Sequence, residues 1–144
     1  DSGAPQILQP DHAGDLAYLR KLIRYTEAGM DYLRYGEWLR PLSLAGAAAS
    51  VPFRESCEDN AIDAPGLLHA VLRSHRDGSI AVVLANITAS DVDVRLPLDG
   101  VARAGSRVRR LREDGREERA GRLERDGSLR VTVNPYDILF LVLR

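Results

Sequence analysis

At 144 residues the chain is long enough for one ordinary domain, or one domain with an appendage. Apolar residues make up 44% and charged residues 28%, the balance of a soluble globular protein, and a net charge of −1 argues against a dedicated nucleic-acid or membrane-surface protein. A lone cysteine, Cys57, excludes an internal disulfide and a thiolate metal cluster, and no apolar run approaches the roughly 18 residues of a spanning helix.

The basic residues are nearly all arginine, with Lys21 the sole lysine, and Ala, Gly and Leu are abundant. This is the composition of a GC-rich, bacterial genome. The chain begins at Asp1 rather than Met and is read as processed or as part of a longer protein.

Residues 1–9 carry no period and read as a tail. Asp11 is a candidate N-cap for the helix that follows. From Leu16 the helical period is clear. Leu16, Leu19, Ile23, Met30 and Leu33 form one apolar stripe, and Tyr18, Leu22, Tyr25, Gly29 and Tyr32 form a second beside it. Two stripes predict a broad buried face, with Leu19, Ile23, Met30 and Leu33 covered and the tyrosines of the second stripe at least partly so. The helix should end near Tyr35-Gly36, where Gly36 can supply a left-handed cap and Pro41 follows.

Residues 42–65 are small, then acidic, then turn-like. They read as a connector, with one short strand around Ala47–Phe53. Beyond Pro65 the period changes to two. "GLLHAVLRS" and "SIAVVLANI" flank Asp77-Gly78, which predicts a two-residue hairpin turn, and Ile80 to Ile87 has the two apolar faces of a central strand. Val92, Val94, Leu96 and Leu98 alternate with polar residues, and Pro97 favours an edge or strand end. Residues 103–127 read as a hairpin turning at Asp114-Gly115. "ILFLVLR" closes the chain as a strand buried on both faces. The expected architecture is mainly β: an antiparallel β-sandwich of about six to seven strands preceded by one long α-helix. The expected divisions are 1–41 for tail and helix, 42–65 for the connector, and 66–144 for the sandwich.

Acid–base chemistry would need carboxylates held in a cleft. Here Asp77, Asp99, Asp114 and Asp126 belong to turns, and Glu55, Glu58, Asp59 and Asp63 to the connector. Glu37 beside Trp38 is the one carboxylate in an aromatic setting, too little for a catalytic site. His12, His69 and His75 are isolated, with no partner at metal-ligand spacing. No phosphate loop, GxSxG or CxxC occurs. The sequence therefore predicts no catalytic, cofactor or metal residue. The arginines of 103–125 are interleaved with acids and lack aromatic neighbours, which reads as a salt-bridged hairpin rather than a nucleic-acid groove. Asn86-Ile87-Thr88 is a formal sequon, read instead as a strand end bonding to its own turn. Three of the five tyrosines and the only tryptophan fall within residues 25–40. Tyr25, Tyr32, Tyr35 and Trp38 are the candidate contact residues, for a helix–domain interface or for the rings of a carbohydrate.

The stretches "YLRYGEWLRPL", "LLHAVLRSHRDGSIAVVLANITASDVDVRLPLDG" and "DGSLRVTVNPYDILFLVL" resemble the C-terminal portion of bacterial glycoside-hydrolase-like proteins related to the α-galactosidase group. The resemblance covers roughly residues 14–144. It implies a (β/α)₈ barrel whose last helix leads into a β-sandwich, with the catalytic carboxylates on barrel strands that lie outside this chain. The implied role is a non-catalytic sandwich bracing an upstream catalytic barrel; the rival is a carbohydrate-binding module. An isolated chain should fold the helix back on the sandwich or pair it with a second copy as a homodimer.

Overall fold

A computed structural model describes residues 13–44, 47–54 and 61–144. In chain order the elements are α1 (Ala13–Ala28), α2 (Met30–Leu33), β1 (Glu37–Trp38), β2 (Ser50–Arg54), β3 (Ala61–Pro65), β4 (Leu67–Arg73), β5 (Ile80–Asn86), β6 (Val92–Pro97), β7 (Arg107–Leu111), β8 (Glu117–Arg122), β9 (Ser128–Val133) and β10 (Asp137–Leu143). One antiparallel sheet has the order β1-β4-β5-β10-β7-β8, a second pairs β6 with β9, and β2 pairs with β3. The fold is the expected helix-preceded β-sandwich. No helix among the described residues is long and apolar enough to cross a membrane.

The six-stranded sheet is apolar on both faces where β4, β5 and β10 run side by side. Val71, Val82, Leu84 and Leu141 point inward against Val94, Leu96, Leu129 and Val133 of β6 and β9. Leu72, Ala81, Ile138, Phe140 and Val142 point outward, beneath the helix. Successive strand residues alternate faces, so a strand buried on both sides must be apolar along its covered length, as β5 is from Ile80 to Ala85 and β10 from Ile138 to Leu143. The layers are therefore helix, six-stranded sheet and two-stranded sheet.

Several local expectations change. The helix is not continuous to Gly36: it breaks at Gly29 into α1 and α2. A Cβ at Gly29 would lie 2.4 Å from the Phe140 ring, so the chain approaches the sheet there as only glycine permits. Gly36 does not adopt a left-handed conformation; its amide bonds to the Tyr32 carbonyl at 2.9 Å, and a Cβ would meet that carbonyl oxygen. The Asp77-Gly78 turn is not a two-residue loop. Ser74 N–H donates to Ser79 O at 2.9 Å, leaving His75 to Gly78 as a four-residue loop with Gly78 at φ +73. The connector holds a hairpin, β2–β3, instead of one strand. The hairpin of residues 107–122 turns through Gly115 at φ +82, as the sequence predicts. Asp11, His12, Cys57, Glu55, Glu58 and Asp59 lie outside the described residues.

Candidate functional site

The outward face of the six-stranded sheet is where the helix, the candidate aromatics and most exposed apolar residues meet. Its rows follow from the register, because directly paired residues share a face. One row runs Trp38, Leu72, Ala81, Val142, Arg109, Arg119 across all six strands. The next runs Ala70, Val83, Phe140, Leu111, and a third Leu68, Ala85, Ile138.

The helix lies over the middle of this face. Tyr25 stacks near Phe140 with ring centroids 6.3 Å apart, and Tyr32 meets the same ring edge-on at 5.8 Å. Lys21 Nζ reaches Asp137 at 2.7 Å at one end, and the Tyr32 hydroxyl reaches Ser79 Oγ at 2.6 Å at the other. Arg24, about 100° round the helix from Tyr25, turns toward Glu113 beyond β7 at 3.6 Å. Leu22, Leu19 and Ile23 lie about 60–160° round in the opposite sense, on the flank away from Arg24.

That flank is bare. Leu19, Ile23 and Met30 are 43%, 60% and 36% exposed, which corrects the expectation that their stripe is the buried one. The buried stripe is that of Tyr25, Gly29 and Tyr32. Its aromatic rings cover Phe140 while the Tyr32 hydroxyl keeps a polar partner, which aliphatic side chains could not do. Leu33 is partly buried against the same cluster.

The four candidate aromatics are divided. Tyr25 and Tyr32 are buried in the helix–sheet layer and are not open to a sugar ring. Tyr35 and Trp38 are 57% and 67% exposed. One side of Tyr35 carries the Arg34 guanidinium, 5.5 Å from the ring centroid. Trp38 sits on the outer strand β1, and Leu68 on β4 is exposed on the same face.

The polar candidates are taken up locally. Asp77 accepts from Ser79 N and Oγ, and those bonds, the side-chain one foremost, hold its carboxyl below the usual range. Asp126 does the same with Ser128, and Asp114 accepts from Arg116 N. Glu37 pairs with Arg73 at 3.1 Å in the open. His69 points inward, and its Nε2 accepts from Leu42 N–H at 2.9 Å. A shallow cavity of about 560 Å³ on β6–β9 is lined by Asp93, Arg95, Arg130 and Thr132. Thr132 Oγ1 donates to Asp93 there, and Arg95 pairs with Asp126. Among the described residues no group of His, Cys, Asp and Glu could hold a metal ion.

Sequence reading missed Asn86 as a cross-sheet staple. Its side chain, fully buried, accepts from Thr88 N and Oγ1 and donates to Ser90, Val133 and Asn134 carbonyls. The local turn was legible; the bonds to the strand 47 residues away were not.

The geometry defines an immunoglobulin-like sandwich with a helix laid on its larger sheet. The chain belongs to the family of the D-apionate lactonase C-terminal immunoglobulin-like domain, whose model matches residues 65–141, more than half of the sequence. By family it is a C-terminal immunoglobulin-like domain, and the chain is also similar to parts of several solved structures. One is an Anoxybacillus alpha-amylase, at 19% identity over 89% of this chain and 22% of that one, TM-score 0.46. Another is a candidate alpha-N-acetylgalactosaminidase from Bacillus halodurans, at 18% identity over 66% and 20%, TM-score 0.43. A third is a candidate alpha-galactosidase/melibiase from Bacteroides fragilis, at 21% identity over 58% and 17%, TM-score 0.42. The match spans about a fifth of the length of each of these proteins. No curated protein matches the chain.

Proposed function

We propose that this chain is the non-catalytic accessory domain of a larger carbohydrate-active protein, and that it braces a catalytic barrel through its N-terminal helix. The bare flank of α1 carries the reading. Leu19, Leu22 and Ile23 project from a helix whose opposite stripe already fills the helix–sheet layer. Each such side chain contributes about 1.5–3 kcal/mol when fully buried. A row of them in water is the kind of patch that marks an interaction surface. Trp38 and Leu68 continue the apolar character onto the uncovered side of the sheet. A barrel packed against α1 would cover this flank and make the helix common to both parts. Our reading of the parent's activity follows the family description, D-apionate lactonase, with the catalytic groups on the barrel. The absence of a catalytic role here is supported by the turn carboxylates Asp77, Asp114 and Asp126, which accept hydrogen bonds from their own loops.

The test compares the double substitution Leu19→Asp with Ile23→Asp in the parent protein and in the isolated chain. The expected result is a lower thermal midpoint and lost activity in the parent, with the isolated chain unchanged. An unchanged parent ends the bracing reading. A doubled solution mass of the isolated chain that falls to the monomer on substitution assigns the flank to a second copy instead.

A further inference from the structure

The outward face of the sheet changes character at the edge opposite Trp38. Arg107 faces Arg122 across β7–β8, and Arg109 faces Arg119. Opposed residues share a face, and so do Arg107 and Arg109, two apart on one strand. The four arginines line one cavity of about 300 Å³ together with Val108 and Gly121. A register shift falls between Val108 and Arg109, opposite Gly121 at φ +142, a conformation that favours glycine.

Among the described residues, only Arg109 of the four has a carboxylate partner, Glu117 at 3.0 Å, and Glu117 is shared with Arg144 at 2.5 Å. The ion pairs of this hairpin cluster at its turn, where Arg112 meets Glu118 and Arg116 meets Asp114. The open end is left cationic. Like charges directly opposite on a sheet are destabilising, so two such pairs side by side are not accounted for by folding.

We propose that this array binds the carboxylate groups of an acidic carbohydrate chain, an oligouronate. Guanidinium groups match carboxylates with paired parallel bonds. Neighbouring arginines are spaced by about 5 Å across the strands and about 7 Å along them, so two carboxylates of one chain can be held together. No aromatic residue lines the cavity, so a base would find no stacking platform. The choice of a sugar rests on the carbohydrate-active reading above; the array itself does not.

The experiment titrates the isolated chain with oligogalacturonate at low salt, beside a neutral cello-oligosaccharide and a single-stranded oligonucleotide of equal charge. Oligogalacturonate should bind, weaken as salt is raised, and leave the neutral sugar behind. The double substitution Arg119→Glu with Arg122→Glu should lower the affinity by about tenfold or more, the scale of two lost charge-assisted contacts. It also places opposite charges across the strands, so the thermal midpoint should hold or rise and unfolding cannot mimic the loss. Arg34→Glu, near the other edge of the sheet, should leave affinity intact. No binding at low salt, equal affinity in the double variant, or tighter binding of the oligonucleotide overturns the proposal. None of these outcomes touches the bracing flank on α1, so the two readings fail separately.

Discussion

The Tyr32 hydroxyl lies 2.6 Å from Ser79 Oγ, and this bond fixes the far end of the helix to the sheet. Ser79 Oγ is in turn 2.5 Å from Asp77 Oδ1. The Ser79 proton goes to the carboxylate, so Tyr32 is the donor in the first bond. The chain of three joins the helix, the strand and the turn. Tyr32→Phe should cost about 0.5–1.5 kcal/mol, because Ser79 keeps its bond to Asp77. Tyr32→Ala should cost about 3–5 kcal/mol, since it also empties the space against Phe140. Urea denaturation of both variants checks the ratio; equal losses would mean the ring packing contributes nothing.

Gly29 and Phe140 form the second point of contact. A Cβ on residue 29 would sit 2.4 Å from one ring carbon and 2.6 Å from another. Gly29→Ala should therefore cost about 1–3 kcal/mol despite alanine's higher helix propensity. A smaller residue at 140 relieves the clash, so Phe140→Leu combined with Gly29→Ala should be less harmful than the two losses added. A double-mutant cycle measures the coupling, and strict additivity would show that the helix can lift away without strain.

The outcome for this helix also shows what was readable in the sequence. Its existence and its two stripes were plain from spacing. Which stripe meets the sheet was not, because hydrophobicity alone ranks Leu19 and Ile23 above Tyr25 and Tyr32. The deciding facts are long-range: Phe140 at the centre of the sheet and Ser79 at its end. The strands were legible for the opposite reason. From Ile80 to Ala85 in β5 and from Ile138 to Leu143 in β10 every position is apolar, and in β6 the alternation is strict, so local pattern and final burial agree. The arginine array was hidden by the acids beside it in sequence, since only the register reveals that those acids gather at the turn end.

Asn86 offers a test of the joint between the two sheets. Its amide nitrogen donates to Ser90 O at 2.7 Å and to Val133 O and Asn134 O at 3.0 Å each. With two hydrogens for three acceptors, one bond is shared. Asn86→Ala would strand these carbonyls and the Thr88 amide, at about 2–4 kcal/mol. Asn86→Asp should be worse at neutral pH, because a carboxylate would face three carbonyl oxygens with no proton to give. Its thermal midpoint should recover as the pH is lowered through the carboxylate range. A midpoint for Asn86→Asp equal to the parent chain at neutral pH would rule out the donor role.

His69 predicts how stability responds to mild acid. Burial pushes its pKa below the usual histidine value. Its Nε2 also accepts the Leu42 amide bond, which requires the neutral ring. Between the folded value and the unfolded one of about 6.5, the unfolded chain binds more protons. Stability therefore rises with pH across that window, and its loss begins as pH falls below about 6.5. The carboxyls of Asp77 and Glu117, both held low by hydrogen bonds, contribute stability that is lost only on further acidification, from about pH 4 downward. The two windows are separate, so a titration of unfolding free energy can distinguish them. His69→Leu should remove the slope that opens below about pH 6.5 while leaving the carboxylate limb unchanged. In the parent chain the Leu42 amide should lose protection over the same interval, after correction for intrinsic exchange. An identical slope in His69→Leu would show that the connector is not held through this ring.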